Sequence, residues 1–200
     1  MSHIKHLVIV GGPCAVGKST LLERIQKNEL PHLNKQLSIE EAENYSLINA
    51  HGLPIPYSKA KPYLIIHYDF INRRRLEGNF NRLGVLMDHS EDITVLTLCA
   101  SHISLYQRMN KRWHRRLRLL ARAPGKQPFM LIKKTWQIRR LYKKSSNIIT
   151  AYKEWNKFIT SHKASTHLML DTTYPEISDA IIYNTNEKLR IVTPQTKPTN

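Results

Sequence analysis

Four short apolar runs punctuate the chain, at residues 7–10, 63–68, 93–98 and 167–170, and each predicts a β-strand. The first three are apolar at successive rather than alternate positions, which suits parallel strands covered by helices on both faces. Between them the pattern turns helical. Residues 19–29 read as a helix that stops before Pro31. Ser38-Ile-Glu-Glu41 has the form of a capping box and predicts a helix to about residue 50. Residues 51–57 form a turn-rich connector into the second strand.

From Ser101 onward Ile103, Tyr106, Met109, Trp113, Leu117 and Leu120 recur at steps of three and four, one stripe of a long helix. Arg108, Lys111, Arg112, Arg115, Arg116, Arg118 and Arg122 fall mostly on its other faces. Residues 123–128 carry Pro and Gly and break the pattern. A second helical stretch follows over 129–160, with an interruption expected near 145–147. Ile132, Trp136, Leu141, Tyr142, Ile149, Tyr152, Trp155 and Ile159 are its candidates for burial. Trp113, Trp136 and Trp155 all read as core. Two antiparallel helices over about 101–160 are thus expected to project from the sheet as a hairpin. A loop and a short helix to about Tyr183 complete a single domain over 1–183, and 184–200 read as a disordered tail.

The chemistry lies where the first strand ends. Gly12-Pro13-Cys14-Ala15-Val16-Gly17-Lys18-Ser19-Thr20 is a complete G-x-x-x-x-G-K-[ST] phosphate loop between a strand and a helix. Its glycines let the backbone turn consecutive N–H groups inward as an anion nest, and the helix N-terminus adds partial positive charge. Lys18 is placed to reach the β- and γ-phosphates, and the Ser19 hydroxyl to ligate Mg²⁺. Such a loop needs a carboxylate to organise the metal or to accept a proton. Asp69, at the carboxyl end of the second strand, is the candidate, with His67 on the same side two residues earlier.

Charge sharpens this picture. The net charge is +16, yet no acidic residue lies between Asp92 and Glu154, an interval holding 15 of the 31 Lys and Arg. The rest of the chain is nearly neutral, so one segment carries the field. Arg112, Arg115 and Arg116 lie close along one side of the predicted helix, where a closing lid could bring them to a transferring phosphoryl group. No apolar stretch approaches the roughly 20 residues of a membrane span. The short N-terminal apolar run leads straight into the phosphate loop, which argues against a signal peptide. Cys14 and Cys99 have neither metal-ligand nor disulfide spacing, and Cys14 reads as a small loop filler; a cytoplasmic location is expected.

The layout resembles the small P-loop kinases of the nucleoside and nucleotide kinase group, including small-molecule phosphotransferases similar to chloramphenicol and gluconate kinases. Four features carry the resemblance. They are the loop from Gly12 to Thr20, the strand ending in Asp69, the arginine-rich helix around Arg112 to Arg118, and Asp171-Thr-Thr-Tyr-Pro-Glu176 after the last strand. It implies an α/β P-loop NTPase fold with a long basic helical lid, ATP and Mg²⁺ as cofactors, and a hydroxyl or phosphate acceptor. In such enzymes a similar strand-end Asp-Thr-Ser/Thr lies beside the adenine. Two departures stand out: no strand is legible between residues 29 and 63, and the lid is longer and more basic than usual.

The leading reading is an ATP- and Mg²⁺-dependent phosphotransferase acting on a small molecule, with Lys18, Asp69, Arg112 and Arg116 as catalytic residues and Ser19 and Asp69 on the metal. The alternatives are an NTP-binding protein that tracks nucleic acid through basic residues 108–144, a sulfotransferase-like enzyme, or a basic surface attracted to anionic membrane or carbohydrate.

Overall fold

The computed structural model describes residues 4–50, 62–71, 80–122, 125–162, 164–173 and 182–184. Strands β1 (Ile4–Gly12), β2 (Ser46–Ala50), β3 (Tyr63–Asp69), β4 (Ser90–Cys99) and β5 (Thr166–Asp171) form a parallel sheet in the order β2-β3-β1-β4-β5. A short β6 (Ile182–Asn184) adds antiparallel to β5. The described α-helices are α1 (Lys18–Gln26), α2 (Pro31–Gln36), α3 (Asn81–Asp88), α4 (His102–Arg122), α5 (Lys126–Leu141) and α6 (Ser145–Ser161). The fold is α/β and of the P-loop NTPase type.

Leu7, Val8, Ile9 and Val10 are all fully buried, so both faces of β1 are covered, as their unbroken apolar run predicts. On one face α6 packs Trp155 so tightly over Gly11 that a Cβ there would lie 2.5 Å from the indole. Trp155 also donates from Nε1 to Thr97 Oγ1 at 2.8 Å and stacks on Tyr68 and Phe70, with Phe80 tilted against it. β1 has β3 on one side and β4 on the other, so the strand order reverses there. In an open α/β sheet that switch point, at the carboxyl ends, is where ligands bind.

Four local expectations are corrected. The capping box does not start a helix: Ser38 takes a left-handed φ of 54° and closes α2 instead. The Ser38 and Ile39 amides return to Lys35 and Asn34 in a helix C-terminal motif. A single 3₁₀ turn over Ala42–Asn44 then leads into β2, the strand that was not legible. α1 ends at Gln26 rather than near residue 29, closed in the same way by Asn28 at φ 53°, and Pro31 opens α2. Where a helix to Tyr183 was expected, residues 182–184 pair with β5 as a strand. In the hairpin the buried residues of α4 are Leu105 and Met109, while Ile103 and Leu117 are exposed; in α6 Ile148 is buried and Ile149 exposed. The expected interruption is real and falls between α5 and α6. The connector at 51–57, the stretch 174–181 that holds most of the expected loop and short helix, and the tail at 185–200 lie outside the described residues.

Candidate active site

The phosphate loop leaves the buried end of β1 and enters α1 through Gly17, which caps the helix at φ 110°, a conformation that strains any side chain. Ala15 also has a positive φ, 69°. Gly12 is needed for a different reason: a Cβ there would meet Val16 at 2.8 Å and the Leu98 carbonyl at 3.0 Å. Both loop glycines are therefore dictated by geometry.

Lys18 is almost fully buried, and its ammonium donates to the Gly12 and Pro13 carbonyls, both at 2.8 Å. It also forms an ion pair with Asp69. That pairing follows from register, since Asp69 lies opposite Gly12 on the neighbouring strand. Ser19 and Thr20 are exposed on the first turn of α1. Together with His67 and Asp69 they line a cavity of about 570 Å³ whose roof is the hairpin, with Arg108, Arg112, Arg115 and Arg116 from α4 and Lys134 and Thr135 from α5. The structure thus brings Lys18, Ser19, Asp69, Arg112 and Arg116 around one space.

The inward face of α4 explains the misread stripe. Leu105, Met109, Arg112 and Arg116 follow one another at steps of four, three and four, so the buried face starts apolar and becomes basic where it crosses the loop. The Arg112 guanidinium donates to the Cys14 sulfur at 3.1 Å, so Cys14 is more than filler. Arg116 bonds the Leu131 carbonyl at 2.9 Å and the Thr135 hydroxyl, which ties α4 to α5 beside the cavity. Burial first, and then the adjacent Arg112, lower the Arg116 pKa, yet a guanidinium stays charged. Arg115 lines the cavity without bonding the loop in these ways.

Three supports were missed from sequence. Arg108 donates to the Val16 carbonyl at 3.3 Å and to the Thr172 hydroxyl at 3.2 Å, and it also bonds the Thr172 carbonyl. The Thr172 hydroxyl reaches the same Val16 carbonyl at 2.7 Å, and its amide bonds the Cys99 carbonyl at 2.7 Å. The Asp171 carboxylate accepts from the Thr173 amide and hydroxyl and shapes this turn. The Asp171-Thr-Thr segment therefore grips the phosphate loop itself. The third support is Tyr142, whose hydroxyl donates to the Cys14 carbonyl. Burial, followed by the nearby Cys14 thiol, raises its pKa well above the ordinary phenol value, so it remains a donor. Buried tyrosine at a helix end was the only sequence signal available for it.

Of the tryptophans, only Trp155 is fully buried; Trp136 is 40% exposed, with the Arg140 guanidinium 4.8 Å from its ring centre. Cys99 is partly buried, and burial pushes its thiol pKa up to about 12, which favours the thiol over the nucleophilic thiolate. Among the described residues, no three His, Cys, Asp or Glu side chains could hold a metal by themselves. One hydroxyl and one carboxylate beside a phosphate loop is nonetheless the donor set that Mg²⁺ uses when phosphates supply the other ligands. No described helix is long and apolar enough to cross a membrane.

No protein-family model and no curated protein sequence matches the chain. Among solved structures, it is similar to one from the PezAT chromosomal toxin–antitoxin system of the human pathogen Streptococcus pneumoniae. The match has a TM-score of 0.50 and 12% identity over 94% of this chain and 75% of that one. At that identity the similarity speaks for the fold alone.

Proposed function

We propose that the chain is a Mg²⁺- and ATP-dependent phosphotransferase acting on a small-molecule hydroxyl or phosphate. The observation that carries this is the shared cavity. It joins a complete phosphate loop, a strand-end carboxylate paired to the loop lysine, and guanidinium groups delivered by a helical lid.

In this reading the loop amides and the start of α1 hold the donor phosphates, and Lys18 neutralises their charge. Ser19 and Asp69 would hold Mg²⁺, which supplies charge neutralisation on the donor. Asp69 is alternatively the group that takes the proton from an acceptor hydroxyl as its oxygen bonds to phosphorus and the terminal phosphoryl bond of the donor breaks. Arg112, on the loop through Cys14, and Arg116 stabilise the charge spread over the transferring group. That Arg108, Arg112, Arg115 and Arg116 all line the cavity favours a lid over a track for nucleic acid.

The test is to incubate the protein with terminally labelled ATP and a metabolite extract, then identify what becomes labelled. A labelled acceptor formed by the native chain and not by Lys18→Ala is the expected result. A native chain that binds Mg·ATP and labels nothing beyond the Lys18→Ala control would sink the kinase reading.

A further inference from the structure

α5 carries two opposed stripes. Leu131, Thr135, Ile138 and Tyr142, at steps of four, three and four, face the cavity and the phosphate loop. Phe129, Lys133, Trp136 and Arg140 repeat the same steps two residues out of phase, which places them on the opposite side of the helix. All four are exposed, Phe129 at 58%. The first stripe belongs to the site; the second has no role in it.

This outer stripe lies within a wider concentration of apolar surface. Ten large apolar side chains are exposed among the described residues, and five of them besides the cavity-lining Leu131 lie between residues 117 and 136, on the part of the hairpin nearer its tip. Arg116 of α4 bonds Leu131 and Thr135 of α5, so Leu119, Phe129 and Met130 lie at similar heights toward that tip. The cations Arg118, Arg122, Lys133 and Arg140 are exposed in the same region, with no carboxylate between Asp92 and Glu154 to offset them.

From this coincidence we propose that the outer face of α5, with the C-terminal turn of α4, docks onto an anionic lipid bilayer. Phe129, Met130, Leu119 and Trp136 enter the interfacial layer, while the basic side chains lay their alkyl stems along it and pair with lipid phosphates. A concentration of exposed apolar side chains marks an interaction site, and here it falls in a segment that carries cations and no carboxylate. A nucleic-acid duplex would use the cations and leave Phe129 and Met130 in water. The Arg140 guanidinium over Trp136 also occupies a face that a base would need. The proposal uses neither Lys18 nor Asp69, so it stands or falls apart from the catalytic reading.

The experiment sediments the full chain, without nucleotide, on phosphatidylcholine vesicles with or without phosphatidylglycerol, at physiological ionic strength. Two double variants, Phe129→Ser with Met130→Ser and Lys133→Glu with Arg140→Glu, alter only exposed side chains, and circular dichroism checks their fold. Partition onto the anionic vesicles that falls about tenfold or more in each variant is expected, because apolar insertion and charge both contribute. Failure to sediment with anionic vesicles overturns the proposal. So does partition that survives Phe129→Ser with Met130→Ser, above all if a duplex oligonucleotide binds tightly and responds only to the charge variant.

Discussion

The Tyr142 hydroxyl donates to the carbonyl of Cys14 at 2.8 Å, so a residue just beyond the end of α5 holds the middle of the phosphate loop from 128 positions away. The lid and the loop are thereby one mechanical unit. Tyr142→Phe keeps the buried ring and removes the donor. It should cost about 1–2 kcal/mol of stability, because the Cys14 carbonyl loses a buried partner. Mg·ATP affinity should fall as well, and paired denaturant melts and calorimetry on the variant would reveal both effects. Unchanged affinity would mean that the loop keeps its shape without this bond.

Lys18→Ala should weaken Mg·ATP binding at least about tenfold, roughly 1.4 kcal/mol. The buried ammonium also ties two loop carbonyls to Asp69, so the variant should melt earlier than the native chain even before nucleotide is added. Calorimetry with unchanged affinity would remove the basis of the phosphotransferase reading.

Asp69→Asn should lower turnover by roughly 10² or more if the carboxylate organises metal or accepts a proton. Because its partner Lys18 is buried, this change also leaves a charge without its counter-ion, at a cost of about 1.5–3 kcal/mol. The two effects separate in one experiment, a thermal melt alongside initial rates. A large loss of melting temperature with turnover intact would reduce Asp69 to a structural partner.

Single alanine substitutions at Arg112, Arg115 and Arg116 should lower the rate unequally. Arg112, which touches the loop at Cys14, should dominate; Arg116, held by Leu131 and Thr135, should lose stability as well as rate. Three equal, small effects would argue against an assigned role for any of them.

Burial lowers the His167 pKa from 6.5 to about 4, with its Nε2 2.8 Å from the Thr97 hydroxyl oxygen. Above pH 6.5 this ring is neutral folded or unfolded and the difference vanishes. As pH falls toward 4 the unfolded chain gains a proton that the folded chain refuses, so stability is lost through that window, by on the order of 3 kcal/mol in full. Burial lowers His6 too, with the same sign. Denaturant melts between about pH 7 and pH 4 should show a shallower decline for His167→Gln than for the native chain. Parallel curves would place the acid sensitivity elsewhere.

Much of the site could be read from residue order because its parts sit at strand ends. A phosphate loop between an apolar run and a helix leaves one place for Lys18, and parallel pairing of two apolar runs brings Asp69 to Gly12. What stayed hidden depends on tertiary contact. Arg108 and Thr172 look like an ordinary lid cation and a turn hydroxyl until both are seen on the Val16 carbonyl. The face of α4 was misassigned because buried positions were sought among apolar residues, whereas Arg112 and Arg116 occupy the inward stripe. β2 was hidden by a capping signal whose serine closes the preceding helix instead.

The distances in sequence between the loop and its supports also bear on how the molecule comes into being. Val16 leaves the ribosome well before its partners Arg108 and Thr172, which follow 92 and 156 residues later. Closing such long connections carries an entropic cost that early contacts cannot offset. Between those points the nascent chain carries the loop unsecured, and a product cut short before β5 lacks the Thr172 end of the clasp. The finished shape of the phosphate loop is in this way inherited from the last parallel strand to be made, not from the segment that carries the motif.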